Sequence, residues 1–181
     1  MSHRSELLAN RLEQGAAALA SFVEDLSEAE WQMPVSATDR RSIGIVVHHV
    51  ASVYAVEVEL ARAIASGHAV TNITPEVLNQ MNAHHARQLT IVNKTKTIDL
   101  LRLNSRAAAA RVREFTDEQL DQAAPFSLSD SAPVTAQFVI EDHALRHSWH
   151  HLAQIRAGLK QAVAAPTRAA VATSQSAFWI C

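Results

Sequence analysis

Residues that interrupt helices are scarce in this chain, and most of them fall where helices would have to end. Four glycines and five prolines stand against 33 alanines in 181 residues. Alanine is the best helix former, and glycine and proline are the poorest interior ones. An all-α fold is therefore expected. Between the breakers, apolar residues recur every three or four positions, which keeps them on one helix face. Leu8, Leu12, Ala16, Leu19, Val23 and Leu26 mark a first helix over 5–26, with Gly15 inside it at a cost of about 1 kcal/mol against alanine. Ser42 as N-cap and Gly67 as stop frame a second over 42–66, with the stripe Val46, Val50, Val53, Val56, Leu60 and Ile64. Thr74-Pro75, a cap followed by proline at the first helical position, opens a third over 74–115. Its inner face reads Leu78, Met81, Leu89, Val92, Leu100, Leu103, Ala107 and Ala110, and the weak formers at 93–97 predict a kink or break. A fourth runs over 135–158, with Ile140, Ala144, His147, His151 and Ile155 in register.

Four amphipathic helices must bury their stripes against one another, so residues 1–158 are read as a single four-helix bundle. Residues 159–181 form a C-terminal tail or a short extra helix. The short connection at Gly67 favours antiparallel neighbours. The stretch 116–134, with Pro125 and Pro133, is a loop long enough for a crossover, with one turn at 116–120. Ser27-Glu28-Ala29-Glu30 has capping-box spacing. The order of the helices stays open. Charge narrows the function: a net charge of -2 leaves no basic excess for nucleic acid. The apolar runs fall short of the roughly 20 residues of a membrane span, and the first residues lack the apolar run of a secretory signal. The one cysteine, Cys181, rules out an internal disulfide and a cysteine zinc site. These features describe a cytoplasmic protein acting on a small molecule, without nucleic-acid or membrane partners. Val47, Val58 and Trp149 lie off the inner stripes and suggest a homodimer contact; Phe178, Trp179 and Ile180 of the tail would pack on that surface or on the end of the bundle.

Ten histidines are the compositional oddity. His147 and His151 stand four apart on a predicted helix, so their side chains lie one turn apart on one face. The spacing by itself fits two partly exposed histidines equally well. Register tips the balance, because both replace hydrophobes in the stripe between Ala144 and Ile155, and burying imidazoles without partners is unfavourable. A shared metal ion satisfies them. Ser148 follows His147, which excludes the His-Glu-x-x-His protease motif, and Ala144 follows Glu141 by three, which excludes the di-iron Glu-x-x-His pattern. A third ligand must come from another helix. His49 shares the stripe of the second helix, whereas His48 aligns with Ser52, Ala55 and Glu59 on an outward face. His143 is a weaker candidate, His150 points about 100° away, and His84-His85 lie on the third helix. Glu57, two turns beyond His49, is the carboxylate best placed to orient a ligand histidine; Glu141 and Asp142 flank the site, and all three read equally as surface charges.

Trp31, then Ser42-Ile43-Gly44-Ile45-Val46-Val47-His48-His49-Val50, then His147-Ser-Trp-His-His151-Leu-Ala-Gln154-Ile155, resemble the DinB superfamily of four-helix bundles. The likeness covers about Leu7 to Gly158 and includes Thr116-Asp117-Glu118-Gln119-Leu120. It implies His49, His147 and His151 as ligands of one divalent metal. Three neutral imidazoles suit zinc, nickel, iron or copper, with zinc and nickel the first choices, and leave a coordination position open. The resemblance further implies a transferase that uses a low-molecular-weight thiol such as bacillithiol, mycothiol or glutathione, or a thiol-dependent isomerase. A metal-bound thiol favours its reactive thiolate at neutral pH. The competing readings are a non-catalytic metal-binding bundle, serving as sensor, store or interaction module, and a bundle with no metal.

Overall fold

The computed structural model describes residues 2–89 and 91–175, with side chains placed through residue 164. Helix α1 spans His3–Glu24, and all six residues of its expected stripe are buried. A short α2, Glu28–Trp31, follows with the predicted capping box: Ser27 accepts from the Glu30 amide and Glu30 accepts from the Ser27 amide. Helix α3 spans Ile43–Ala65 from its Ser42 cap. The Trp31 indole lies flat against Gly44, where a Cβ would sit 2.6 Å from its Nε1, and donates to the Val92 carbonyl at 3.0 Å. One aromatic ring thus ties the start of α3 to the chain before and after it.

The expected third helix is two helices. Thr74 caps α4, Pro75–Gln88, and Asn93 caps a fresh α5, Lys94–Val112. The new cap resets the helical phase, so the inner face expected for α5 is wrong. Ile98, Leu101, Ser105, Ala108, Ala109 and Val112 are buried, while Leu103 is 65% exposed and Ala107 and Ala110 face solvent. The one expected turn is α6, Asp117–Asp121. The rest of that loop carries a two-stranded antiparallel hairpin, β1 Ala123–Pro125 and β2 Pro133–Thr135, around a 3-10 turn at Ser127–Ser129. The expected fourth helix begins on the Thr135 cap as α7, Ala136–Val139, widens into a π-helical turn over Ile140–Leu145, and continues as α8, Arg146–Gln175.

Helix α8 does not stop at Gly158, so the expected boundary between bundle and tail falls inside it. Gly158 serves close approach instead: a Cβ there would meet the Val35 carbonyl oxygen at 1.9 Å. Phe178, Trp179, Ile180 and Cys181 lie outside the described residues.

Side-chain pairs fix the topology. Helices α1 and α8 run parallel, with Arg11 beside Glu141 and Phe22 under Arg156. Helices α3 and α5 also run parallel, through Asn104 to the Ala51 carbonyl at 2.8 Å and Arg111 to Glu59 at 2.7 Å. The expected antiparallel neighbour of α3 is α4, whose His85 returns to His48. The pairs meet antiparallel, α1 against α5 through Arg113–Glu6 and Arg102–Glu24, and α3 against α8 through Tyr54 and Ser148. The four long helices α1, α3, α5 and α8 form the bundle, with α1 diagonal to α3. The 116–134 segment carries the second diagonal crossing.

Of the three residues expected to mark a dimer face, two are in the core and the third, Trp149, is 43% exposed. Val47 and Val58 are fully buried, and the Trp149 indole lies over Gly15 of α1. By length and composition α3 could also cross a membrane, but most of its apolar window is buried in the bundle.

Candidate metal centre

Helix α3 is apolar enough to be buried on two sides. Val47, Ala51, Tyr54, Val58 and Ala61 are buried in the core of the bundle. His49, Val53, Val56, Glu57 and Leu60 recur at helical spacing and line a cavity between α3, α4 and α8. Part of the stripe expected in the core is therefore the wall of a site, and Val56 is 48% exposed. Across the cavity the π-helical turn leads into α8, whose first turns carry His147 and His151. A π turn adds a residue to the helical cycle and is frequent at functional sites. Here it breaks the four-residue register between His143 and His147, and His143 stacks edge-on against Phe126 instead, with ring centroids 5.4 Å apart.

His49, His147 and His151 each present a ring nitrogen, and the three nitrogens lie within 4.8 Å of one another. Ring centroids are 5.1 Å apart for His49 and His147, and 4.9 Å for His147 and His151. Two of the rings are held through Nδ1. His147 Nδ1 bonds Glu57 Oε1 at 2.5 Å, and Gln154 Oε1 accepts from His151 Nδ1 at 3.0 Å. Each contact leaves Nε2 free, the second-partner arrangement that orients metal-binding histidines. Burial, reinforced by the neighbouring imidazoles, pushes His49 and His151 down to about 3. They are neutral at pH 7, the form in which imidazole binds a metal.

Glu57 is 7% exposed, and its Oε2 is buried with no hydrogen-bond partner among the described residues. A buried carboxylate oxygen without a partner is costly, and a cation held by the adjacent imidazoles would offset it. The donor set and this oxygen both fit a divalent ion. Of the other two flanking carboxylates, Asp142 pairs with Arg146 at 2.7 Å and Glu141 bonds Gln137 at 3.2 Å, so both take the surface-charge reading.

His48 leaves the triad, as its register predicts, yet it is not idle. Its Nδ1 lies 3.0 Å from His85 Nε2, and His85 stands edge-on to His49 with centroids 5.7 Å apart. Burial lowers both pKa values. His84 faces solvent, and His150 is exposed at the cavity rim. Helix α4 lies over the site, where Leu78, Met81 and Asn82 line the cavity; the break after Gln88, which frees α4 to lie there, is the one signal of this in the sequence. Arg41, clamped to Asp39 at 2.6 Å, lies near enough to bear on His49 and His151 electrostatically.

Fold and site together define a helical bundle with a three-histidine centre on facing helices. The DinB superfamily model matches residues 11–155, and the chain belongs to that family. YfiT from Bacillus subtilis, described as "a probable metal-dependent hydrolase with an unusual four-helix bundle topology", superposes with a TM-score of 0.67 at 18% identity, over 89% of each chain. A mycothiol-dependent maleylpyruvate isomerase superposes with a TM-score of 0.61 at 15% identity, covering 83% of this chain and 60% of that one. No curated protein matches the sequence. At these identities the two structures establish the fold.

Proposed function

We propose that His49, His147 and His151 hold one divalent cation, zinc or nickel, and that the protein is a metal-dependent transferase in which a low-molecular-weight thiol is the nucleophile. One observation carries this reading. Three imidazoles, two of them neutral through burial, converge on one side of a cavity of about 330 Å³. Three protein ligands leave a position for an exchangeable group, as in catalytic rather than structural sites. When bound there, the cation would lower the pKa of a coordinated thiol, so that the thiolate is present at neutral pH. Glu57 holds the ring of His147, and Gln154 holds that of His151, so neither ring reorganises as substrate arrives. The walls of α3 and α4 exclude water and receive the acceptor. The thiol dependence of one structural neighbour supports the choice of nucleophile. The cavity itself favours a catalyst over a metal store, which needs no room for a second molecule.

The test begins with metal content of protein purified without a histidine tag. About one ion per chain is expected, lost in His49→Ala, His147→Ala and His151→Ala and kept in His48→Ala and His150→Ala. Conjugation of a thiol to a generic electrophile should then require the metal. Equal rates after chelation would overturn the transferase reading, and thiol-independent hydrolysis of an ester would replace it with a hydrolase.

A further inference from the structure

We propose that the cavity beside the triad binds an uncharged small molecule with an apolar body, and that it selects against carboxylates. This inference rests on the metal reading only for the direction in which the reacting end of the molecule points. The cavity follows α3 from His49 to Leu60, which is roughly 16 Å of helix at 1.5 Å per residue. Its two sides differ in chemistry. The histidines, Asp142 and Arg146 of the π turn and α8 line one side, with His49 and Glu57 of α3 reaching toward them. Val56, Leu60, Ile73, Leu78, Met81 and Leu128, with the Asn82 amide among them, line the other, contributed by α3, α4 and the segments beside them. Val56 and Met81 stay 48% and 50% exposed, so apolar surface is left facing the opening rather than being packed away. At about 30 Å³ per water-sized group, the 330 Å³ of space holds on the order of ten non-hydrogen atoms.

Charge argues against an acidic ligand. Arg146 is the one arginine or lysine lining the cavity among the described residues. It sits at the rim with its side chain 60% exposed, and Asp142 holds it at 2.7 Å. Asp142 and Glu57 add two carboxyl groups to the same lining. Arg41, which does not line the cavity, is already engaged by Asp39 through its Nε and Nη2. A divalent ion facing Glu57 and one thiolate would itself be balanced, leaving no positive charge for a carboxylate on the second reactant. The same walls that would welcome an alkyl or aryl group therefore offer an anion only the Asp142-paired Arg146, the rim imidazole of His150 and the Asn82 amide.

Binding of n-alkanols from butanol to octanol, and of carboxylates of equal length, can be followed by NMR titration of metal-free protein. Alkanol affinity should rise about fourfold per methylene, the gain of burying one CH₂, with the carboxylates at least tenfold weaker. Met81→Asp should weaken octanol at least tenfold without moving the melting temperature, since α4 contributes no fully buried residue. A flat alkanol series, carboxylates binding as tightly as alkanols, or an unchanged Met81→Asp variant would each overturn the proposal. Zinc titration of the same sample separates the two readings. Zinc uptake with a flat series removes only the apolar site, and an alkanol gradient without zinc uptake removes only the metal.

Discussion

Replacing Glu57 by Gln separates a metal-orienting carboxylate from a merely structural one. The substitution keeps the shape of the side chain and keeps an oxygen to accept from His147 Nδ1, a contact of 2.5 Å. It changes the charge and turns the unpartnered Oε2 into an amide group. If the carboxylate acts by orienting and polarising His147 toward a cation, its loss should weaken zinc binding about 10–100-fold, or roughly 1.4–2.7 kcal/mol. The metal-free protein should hardly notice, because the weaker hydrogen bond to a neutral amide oxygen and the relieved burial of charge offset one another; a change under about 1 kcal/mol is expected. If the pair instead holds the fold together as a buried ion pair, the balance inverts. Removing one partner of such a pair costs about 3–5 kcal/mol, which for a domain of this size lowers the melting temperature on the order of 10 °C. Zinc competition against a chromophoric chelator and thermal melts of chelator-treated protein give both numbers on one preparation. A large drop in melting temperature with unchanged zinc affinity would refute the assignment.

Acid should destabilise the metal-free protein in a defined window. His49 and His151 are pushed to about 3 in the fold from an ordinary 6.5, so below pH 6.5 the unfolded chain takes up protons that the folded one refuses. Stability then falls as pH drops from 6.5 toward 3, by up to about 1.4 kcal/mol per pH unit for each histidine; far-UV circular dichroism should show the transition moving to lower pH in the His49→Gln, His151→Gln double variant, and an unmoved transition would contradict the burial argument. Gly158→Ala should destabilise the protein by at least about 2 kcal/mol, because its Cβ would lie 1.9 Å from the Val35 carbonyl oxygen, backbone that cannot swing aside. A urea midpoint equal to that of the wild type would show that the 32–42 loop yields freely.

What the sequence made legible follows from the range over which each signal acts. Caps are local: Ser42 and Thr74 each accept the backbone hydrogen bond expected of them, and Thr116 and Thr135 cap the turn and the helix expected to begin there. The histidine pair on α8 was legible because its members lie within one unbroken helix after the π turn, and His49 because its stripe begins at the Ser42 cap, close enough that phase error does not accumulate. Phase was lost wherever a cap intervened. Counting from Leu78 through Asn93 put Leu103 inside, where the restarted helix turns it out. Gly158 misled for a different reason: glycine marks both a helix end and a close approach, and only the fold shows that Val35 lies against it.

The same limit explains α3. A single periodic stripe predicts a single buried face, but α3 packs Val47 and Val58 into the bundle while it turns Val53, Val56 and Leu60 toward the cavity. Two apolar faces on one helix look, in sequence, like one core face and one surface patch, which puts Val47 and Val58 on the outside. The fold assigns them differently, because four helices need only one face of α3, and the other is covered by α4, which buries none of its own residues. An apolar helix face held open beside three imidazoles is surface that the packing of the bundle did not need. On the reading proposed above, that face is where a ligand held by apolar side chains would lie.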